Sequence, residues 1–477
     1  MGGAIRGISQ RLHAPIDAAS LGMLRILFGA LMIWQALYSL TMGRYFKYYL
    51  EPSFHFTYQF FPFIKPLPEK IFYAVFVVMG IAALGILLGL LYRLSCLVFL
   101  LAFGYVFLLD KAYYNNHYYA ILLLTFLMLI ADGGRWASLD NRWKPKPPTV
   151  PYWQLFLLRS QIFVIYFFGG IAKLNADWVQ GEPMRGWLRH VATTPVLGPV
   201  FAASWAPYFF SWGGLAFDLS IGFLLWFKKT RYWAFGLILA FNLTNSLIFN
   251  IGVFPFLMIA AATLFDDPDW PRKFFREKAD GPLPEAAKSD PGRSGRAALV
   301  FVVVYLGVQA IVPLRHWLYP GDVSWTEEGH YFSWHMKLRD KRGKLRVWVT
   351  DPRDGTTFEA DPRSEVNHFQ WGKMVQRPQF IWQYARHLKN EVEQEGVIHP
   401  IVHVDSWISL NGRPYQRAID PQVNLAEAES KLFSPSPWIL PFDASAKPGT
   451  LREAEGGEGG DEKKGPRQER EPLESEF

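Results

Sequence analysis

The sequence predicts a polytopic α-helical membrane protein, with about eight to nine transmembrane helices, followed by a C-terminal α+β extramembrane domain. Three observations predict it. The 477 residues are 50% hydrophobic and 17% aromatic but only 19% charged, against about 25% charged for an ordinary soluble chain. Long apolar runs recur through the first two-thirds of the chain. Beyond residue 320 the texture changes to alternating strands, turn signals and one amphipathic helical period.

A membrane-crossing helix needs roughly 20 predominantly apolar residues. Leu21–Leu40, Ile71–Leu91, Trp153–Ile171, Tyr208–Phe227, Trp233–Phe249 and Ala297–Val312 meet that length or come close to it. Leu94–Leu109, Tyr119–Ala131 and Ile251–Phe265 are shorter candidates that polar or aromatic flanks extend, making nine spans within residues 1–320. The first run lacks a small-residue cleavage site after it and reads as a retained helix.

Orientation follows from the bias of Lys and Arg toward the inner side. With Arg6 and Arg11 inside, nine crossings also place Arg93, the Arg135–Lys146 cluster, Lys228–Arg231 and Arg272–Lys278 inside. Asn115–Tyr118 and Lys173–His190 then share the outer side. The net charge of +7 is explained by these loops, which argues against nucleic acid as a partner. The single cysteine, Cys96, excludes an intramolecular disulfide framework and cysteine-ligated zinc or iron–sulfur sites.

In the outer domain, residues 321–443, Lys344–Thr350 and Thr356–Ala360 flank an Asp-Pro-Arg-Asp-Gly turn and read as a hairpin. From Pro378 to Glu395, Phe380, Ile381, Tyr384, Leu388 and Val392 recur at helical spacing, with Gly396 as the stop. Ile401–Leu410 and Tyr415–Ile419 flank Asn411-Gly412 as a second hairpin. Residues 444–477 are rich in Gly, Glu and Lys without an apolar period, the composition of a disordered tail.

Ionisable residues at membrane depth mark functional sites by default. Lys173 and Asp177 follow the Trp153–Ile171 run, Asn115, Asn116 and His117 open the Tyr119–Ala131 run, and Asp218 interrupts another run. Each also has a structural reading: Lys173 snorkelling to the interface, His117 as a satisfied interfacial histidine, Asp218 paired with Asn or Arg, and Asn242 with Asn245 as inter-helix hydrogen-bonding glue. The eleven histidines show no metal-ligand spacing, so no metal is expected. Residue chemistry alone stops at a membrane protein with an outer domain.

A resemblance goes further. The segments YYNNHYY, LRSQIFVIYFFGGIAKLNADWVQGEPMRGWLRH, GGLAFDLSIGFLLWF, NSLIFNIGVFPFLMIAAATLFDDPDWPRK, GHYFSWHMKLR and VDSWISLNGRPYQRAIDPQVNL resemble, in the same order, the vitamin K-dependent γ-carboxylase family in a short, bacterial-type form. The likeness spans roughly residues 15–443. It implies an enzyme that oxygenates vitamin K hydroquinone to the 2,3-epoxide with O2, and uses the strong base so formed to deprotonate the γ-carbon of a peptide Glu for addition to CO2. The chemistry needs such a cofactor. If the γ C–H pKa exceeds that of the best side-chain base by ~10 units, direct abstraction starts ~14 kcal/mol uphill.

The same resemblance implies roles. Lys173 is the base toward the hydroquinone, uncharged through desolvation by its apolar neighbours, and His117 handles the proton of the carbanion step. Asn115 and Asn116 assist beside His117, and Asp177 and Trp178 line the substrate or cofactor site. Arg189 and His190 meet the substrate carboxylate, and Tyr331 and Trp334 fall in the glutamate-binding region, which GHYFSWHM keeps in part. Expected partners are a Glu-containing peptide or protein, the lipid bilayer and a quinone reductase that resupplies the hydroquinone. The expected location is a bacterial cytoplasmic membrane, with the endoplasmic reticulum membrane as the other option. Two other functions remain open: hydroquinone epoxidation without protein carboxylation, and a non-enzymatic receptor or transporter on the same scaffold.

Overall fold

The computed structural model describes residues 2–195, 197–249, 251–277 and 292–450. Of the expected disordered tail, residues 444–477, the part beyond 450 lies outside the described residues, as do residues 278–291 of the Pro/Gly/Ser-rich stretch 278–296 that reads as an inner loop. Residues 444–450 are instead tied to the outer domain, with Ala446 O accepting from Arg413 Nε at 2.9 Å and the Gly449 N–H donating to Asn411 O at 2.9 Å.

Among the described residues, six helices are long and apolar enough to cross a membrane: Ala19–Thr41, Glu69–Leu88, Tyr92–Leu109, Tyr152–Ala172, Ala206–Trp226 and Gly295–Leu318. Asn116–Ile130 and Phe254–Phe265 are shorter apolar helices. The expected count of eight to nine is therefore met only in part. The Arg231–Ile248 segment, expected as a full span, is helical, but Asn242, Thr244, Asn245 and Ser246 make its C-terminal third polar. The chain order makes neighbours. Ala19–Thr41 packs on Glu69–Leu88, which packs on Tyr92–Leu109, which packs on Asn116–Ile130. A second group joins Tyr152–Ala172 to Ala206–Trp226 and to the Gly292–Ile311 helix. Ile81, Leu101, Trp233 and Val303 remain exposed on these helices, as faces turned to lipid must be.

One buried cation is structural. Arg25, fully buried within the first span, donates to Ile86 O at 2.8 Å, Ala137 O at 2.6 Å and Gly133 O at 3.2 Å, and to Leu87 O. The last carbonyls of the Glu69–Leu88 helix have no intrahelical donors, and the guanidinium supplies them. Its dispersed charge and five N–H groups suit that task.

The outer domain carries a four-stranded antiparallel sheet in which Thr357–Ala360, Lys341–Thr350, Ile401–Leu410 and Gln416–Arg417 lie side by side. Both expected hairpins form. Thr350 pairs with Thr357 across the Asp-Gly turn, and Ile408 pairs with Gln416 across Asn411-Gly412. The Pro378–Gln394 helix buries Phe380, Ile381, Tyr384, Leu388 and Val392, the stripe its spacing predicts. Their partners include Val347, Val349, Val402 and Val404 of the sheet.

The outer domain seats on one end of the bundle through polar contacts. Arg413 grips Asp177 with both guanidinium nitrogens at 2.7 Å, and Asn411 Nδ2 adds a third bond at 2.7 Å. Asn116 Nδ2 donates to His335 O at 3.0 Å. The segments after the Tyr92–Leu109 and Tyr152–Ala172 helices therefore share one end of the molecule.

Candidate functional site

The local sequence explains where Lys173 points. The Tyr152–Ala172 helix stops at Lys173, whose backbone N–H donates to Gly170 O at 3.0 Å. Asn175 starts a new turn by accepting the Trp178 N–H at 2.9 Å, an N-cap. Helix stop and restart within three residues keep the lysine at the bundle's end. Gly169 and Gly170 let the facing helix come close: a Cβ at Gly170 would stand 2.7 Å from Cδ2 and 2.9 Å from the backbone nitrogen of Leu219.

Lys173 does not snorkel to water. It is buried, and its Nζ lies 2.6 Å from Oδ2 of buried Asp218 and 3.2 Å from Gly169 O. The indole of Trp178 sits 5.3 Å from the amine, anchored by its own N–H to Ser211 O at 2.7 Å. The expected Asn or Arg partner for Asp218 is thus replaced by Lys173, since Gly170 brings the two helices together at that level.

His117 reaches the same space from another helix. Asn115 caps Asn116–Ile130 by accepting the Tyr118 N–H at 2.8 Å, which puts His117 in the first turn. The imidazole stacks on Phe254 with centroids 4.1 Å apart. Asn115 and Asn116 line the neighbouring polar chamber described below, where Asn116 joins Tyr114 Oη (3.0 Å) to the His335 carbonyl.

Two chambers meet here. One, of about 500 Å³, is walled mostly by apolar side chains such as Phe217, Phe241 and Phe254, and contains Lys173, Asp218, Trp178 and His117. The other, of about 330 Å³, is polar and cationic, with Lys337, Arg339, Lys341, Lys373 and Arg377 along its wall. His117, Trp187, Met336 and Lys337 belong to both.

The wall of the cationic chamber includes a buried charge cluster that residue spacing did not reveal. Glu327 receives Arg339 Nε at 2.7 Å and Lys341 Nζ at 3.0 Å, and Arg339 also reaches His330 Nε2 at 3.1 Å. Burial would raise the Glu327 carboxyl, but Arg339 and Lys341 hold it well below the usual range. Burial lowers Lys341 to about 8 against the pull of Glu327. Burial, then His316 and Arg339, bring His335 down to about 3. Glu327 and His330 to His335 fall around GHYFSWHM, so family likeness was the available signal and periodicity offered none.

The remaining candidates separate. Tyr331 is buried, and its hydroxyl accepts from Arg377 at 3.1 Å, one residue removed from the cationic chamber. Trp334 is fully buried against Tyr119, with centroids 5.0 Å apart, and serves the core. Asp177 is engaged by Arg413 and Asn411 in the domain junction described above. Arg189 and His190 are exposed and line neither chamber. Their short helix, Met184–Val191, buries Met184, Gly186 and Leu188 instead, so the face toward the chambers carries Met184 and Trp187. The expected carboxylate contact of Arg189 and His190 thus finds no counterpart in the lining of either chamber. Away from both chambers, donor atoms of Glu365, His387 and Glu391 lie within 4.8 Å of one another.

A helical membrane bundle with a polar site at one end, capped by an α+β domain, defines the class. Residues 13–270 match the HTTM domain, and residues 294–445 match the lumenal domain of vitamin K-dependent gamma-carboxylase. The chain belongs to the vitamin K-dependent γ-carboxylase family, which carries a carboxylase-like function in a membrane setting and use of vitamin K hydroquinone. No solved structure matches it.

Proposed function

We propose that this protein couples oxygenation of vitamin K hydroquinone to γ-carboxylation of a Glu-containing peptide, with Lys173 and His117 as the catalytic residues. The observation that carries the reading is the shared wall at His117 between an apolar and a cationic chamber. The first fits a lipid-borne quinol in size and character, since ligand pockets run to about 300–1,000 Å³ and are lined mainly by apolar groups. When bound there, the hydroquinone with O2 supplies the base strength that side chains lack.

The chain's own part is proton management. Lys173 and Asp218, 2.6 Å apart, share one proton as a neutral unit, whether drawn as ammonium–carboxylate or as amine–carboxylic acid. The unit accepts a second proton from the quinol hydroxyl and becomes ammonium–carboxylic acid, which leaves a positive charge facing the new anion. Apolar walls exclude water and strengthen that attraction. In the second chamber, Arg339, Lys341 and Arg377 offer hydrogen bonds to a substrate carboxylate; guanidinium forks suit that geometry. His117, on the shared wall, moves the proton of the carbanion step.

The test uses purified protein in nanodiscs with reduced vitamin K, O2, labelled bicarbonate and a Glu-rich peptide. Epoxide together with labelled peptide supports the proposal. Epoxide without label supports epoxidation alone, and neither product refutes both.

A further inference from the structure

One cation, sharing the rings of Tyr331 and Phe380 with Arg377 of the cationic chamber, stands outside that scheme. Lys111 lies in the turn after the Tyr92–Leu109 helix. The Asp110 carboxylate holds this turn by accepting the Ala112 N–H at 2.7 Å, and is itself taken by His55 at 3.1 Å and Gln370 at 2.6 Å. The Lys111 amine sits 4.2 Å from the centroid of Tyr331 and 5.9 Å from that of Phe380. The same two rings carry Arg377, with Cζ at 5.9 and 5.3 Å. Arg377 donates to the Tyr331 hydroxyl at 3.1 Å, and Arg315 donates to the Tyr331 carbonyl. Among the described residues Lys111 forms no ion pair, and Glu327, whose charge reaches it, is held by Arg339 and Lys341.

Three cations therefore crowd one tyrosine. Burial first, then Arg377 and Arg315, bring the Lys111 amine down to about 7. A lysine desolvated beside other cations is a nucleophile, and cation–π contact with Tyr331 only partly compensates an ammonium there.

We propose that the Lys111 amine captures CO2 as a carbamate whose carboxylate is received by Arg377 and Arg315. The nitrogen lone pair forms a bond to the carbon of CO2, one C=O π bond opens onto oxygen, and one N–H proton leaves to water. No electron is transferred, and reprotonation of the nitrogen reverses the step. The product puts an anion in place of the neutral amine beside two guanidiniums, the arrangement in which charge-assisted hydrogen bonds are strongest; where the amine starts as ammonium, a first proton leaves to water before the bond forms. Its use as a store of CO2 for the carboxylation rests on the function proposed above; its formation does not.

The test incubates the full-length protein in nanodiscs with bicarbonate, without quinol, and traps carbamates by ethylation with a trialkyloxonium salt. Peptide mass spectrometry should find ethyl carbamate on Lys111. Lys111→Arg keeps the positive charge but should abolish the adduct at that position, and Arg377→Met should cut its yield about tenfold, as loss of roughly 1.4 kcal/mol of carbamate stabilisation requires. With quinol and peptide added, Lys111→Arg should raise the bicarbonate concentration for half-maximal carboxylation while epoxide formation is unchanged. An unmodified Lys111 at saturating bicarbonate, while a known carbamate-bearing enzyme in the same tube is trapped, overturns the proposal. An adduct on Lys111 in a protein that forms neither epoxide nor labelled peptide upholds the carbamate and removes the carboxylase reading alone.

Discussion

Replacing one member of the Lys173–Asp218 pair should damage the protein more than replacing both. The two groups are each less than 10% exposed and 2.6 Å apart. Removing one partner of a buried pair costs about 3–5 kcal/mol because the other is left uncompensated, whereas exchanging both for apolar groups is often near neutral. Lys173→Met and Asp218→Leu should thus each lower the melting temperature in detergent, and the double variant should recover most of the loss. A coupling energy of several kcal/mol, far above the ~0.5 kcal/mol within which independent sites add, is expected from the cycle. Activity should behave differently. Lys173→Met and the double variant should both lose about 10²–10⁴-fold in epoxide formation, the usual weight of a positioned acid–base group, with partial rescue of Lys173→Ala by a small amine. Additive melting shifts refute the pairing argument, and near-normal epoxide formation by Lys173→Met refutes the base role.

Three further outcomes follow from the geometry. His117→Ala should lower the ratio of carboxylated peptide to epoxide at least about tenfold, measured as both products from one reaction, since only the proton of the carbanion step is assigned to it. Gly170→Ala should cost about 1–3 kcal/mol in thermal stability as an overpacking change, because its Cβ would meet Leu219 at 2.7 Å, and should reduce epoxide formation by displacing Asp218. Acid should loosen the outer domain. Burial keeps His335 neutral down to about pH 3, while an unfolded histidine protonates near pH 6.5, so stability is full above about pH 6.5 and falls as pH drops toward 3. Hydrogen exchange across residues 327–341 at a series of pH values measures this.

The fold was legible where one period dominates. Continuous apolar runs marked the spans, the Phe380–Val392 stripe marked the outer helix, and Asp-Gly and Asn-Gly marked both hairpins. The span count was less legible, since length alone does not separate a crossing helix from a short buried one such as Phe254–Phe265. Lys173, His117 and Asp218 stood out because polar residues are costly at membrane depth. Their pairing did not, because it depends on Gly170 admitting Leu219. The Glu327–Arg339–Lys341 cluster lies on a turn-rich segment without period, and charges there look no different from surface charges. Arg189 and His190 illustrate the converse: the family resemblance assigned them to the substrate carboxylate, while the helical turn of Met184–Val191 leaves them exposed.

The most direct test follows hydrogen rather than carbon. A peptide deuterated at the Glu γ-position, incubated with reduced vitamin K and O2 but without CO2, should release deuterium to water at a rate tied to epoxide formation, and should keep it when Lys173 is Met. Epoxide formed at full rate with the deuterium retained would contradict the claim that the two chambers act on one another across His117.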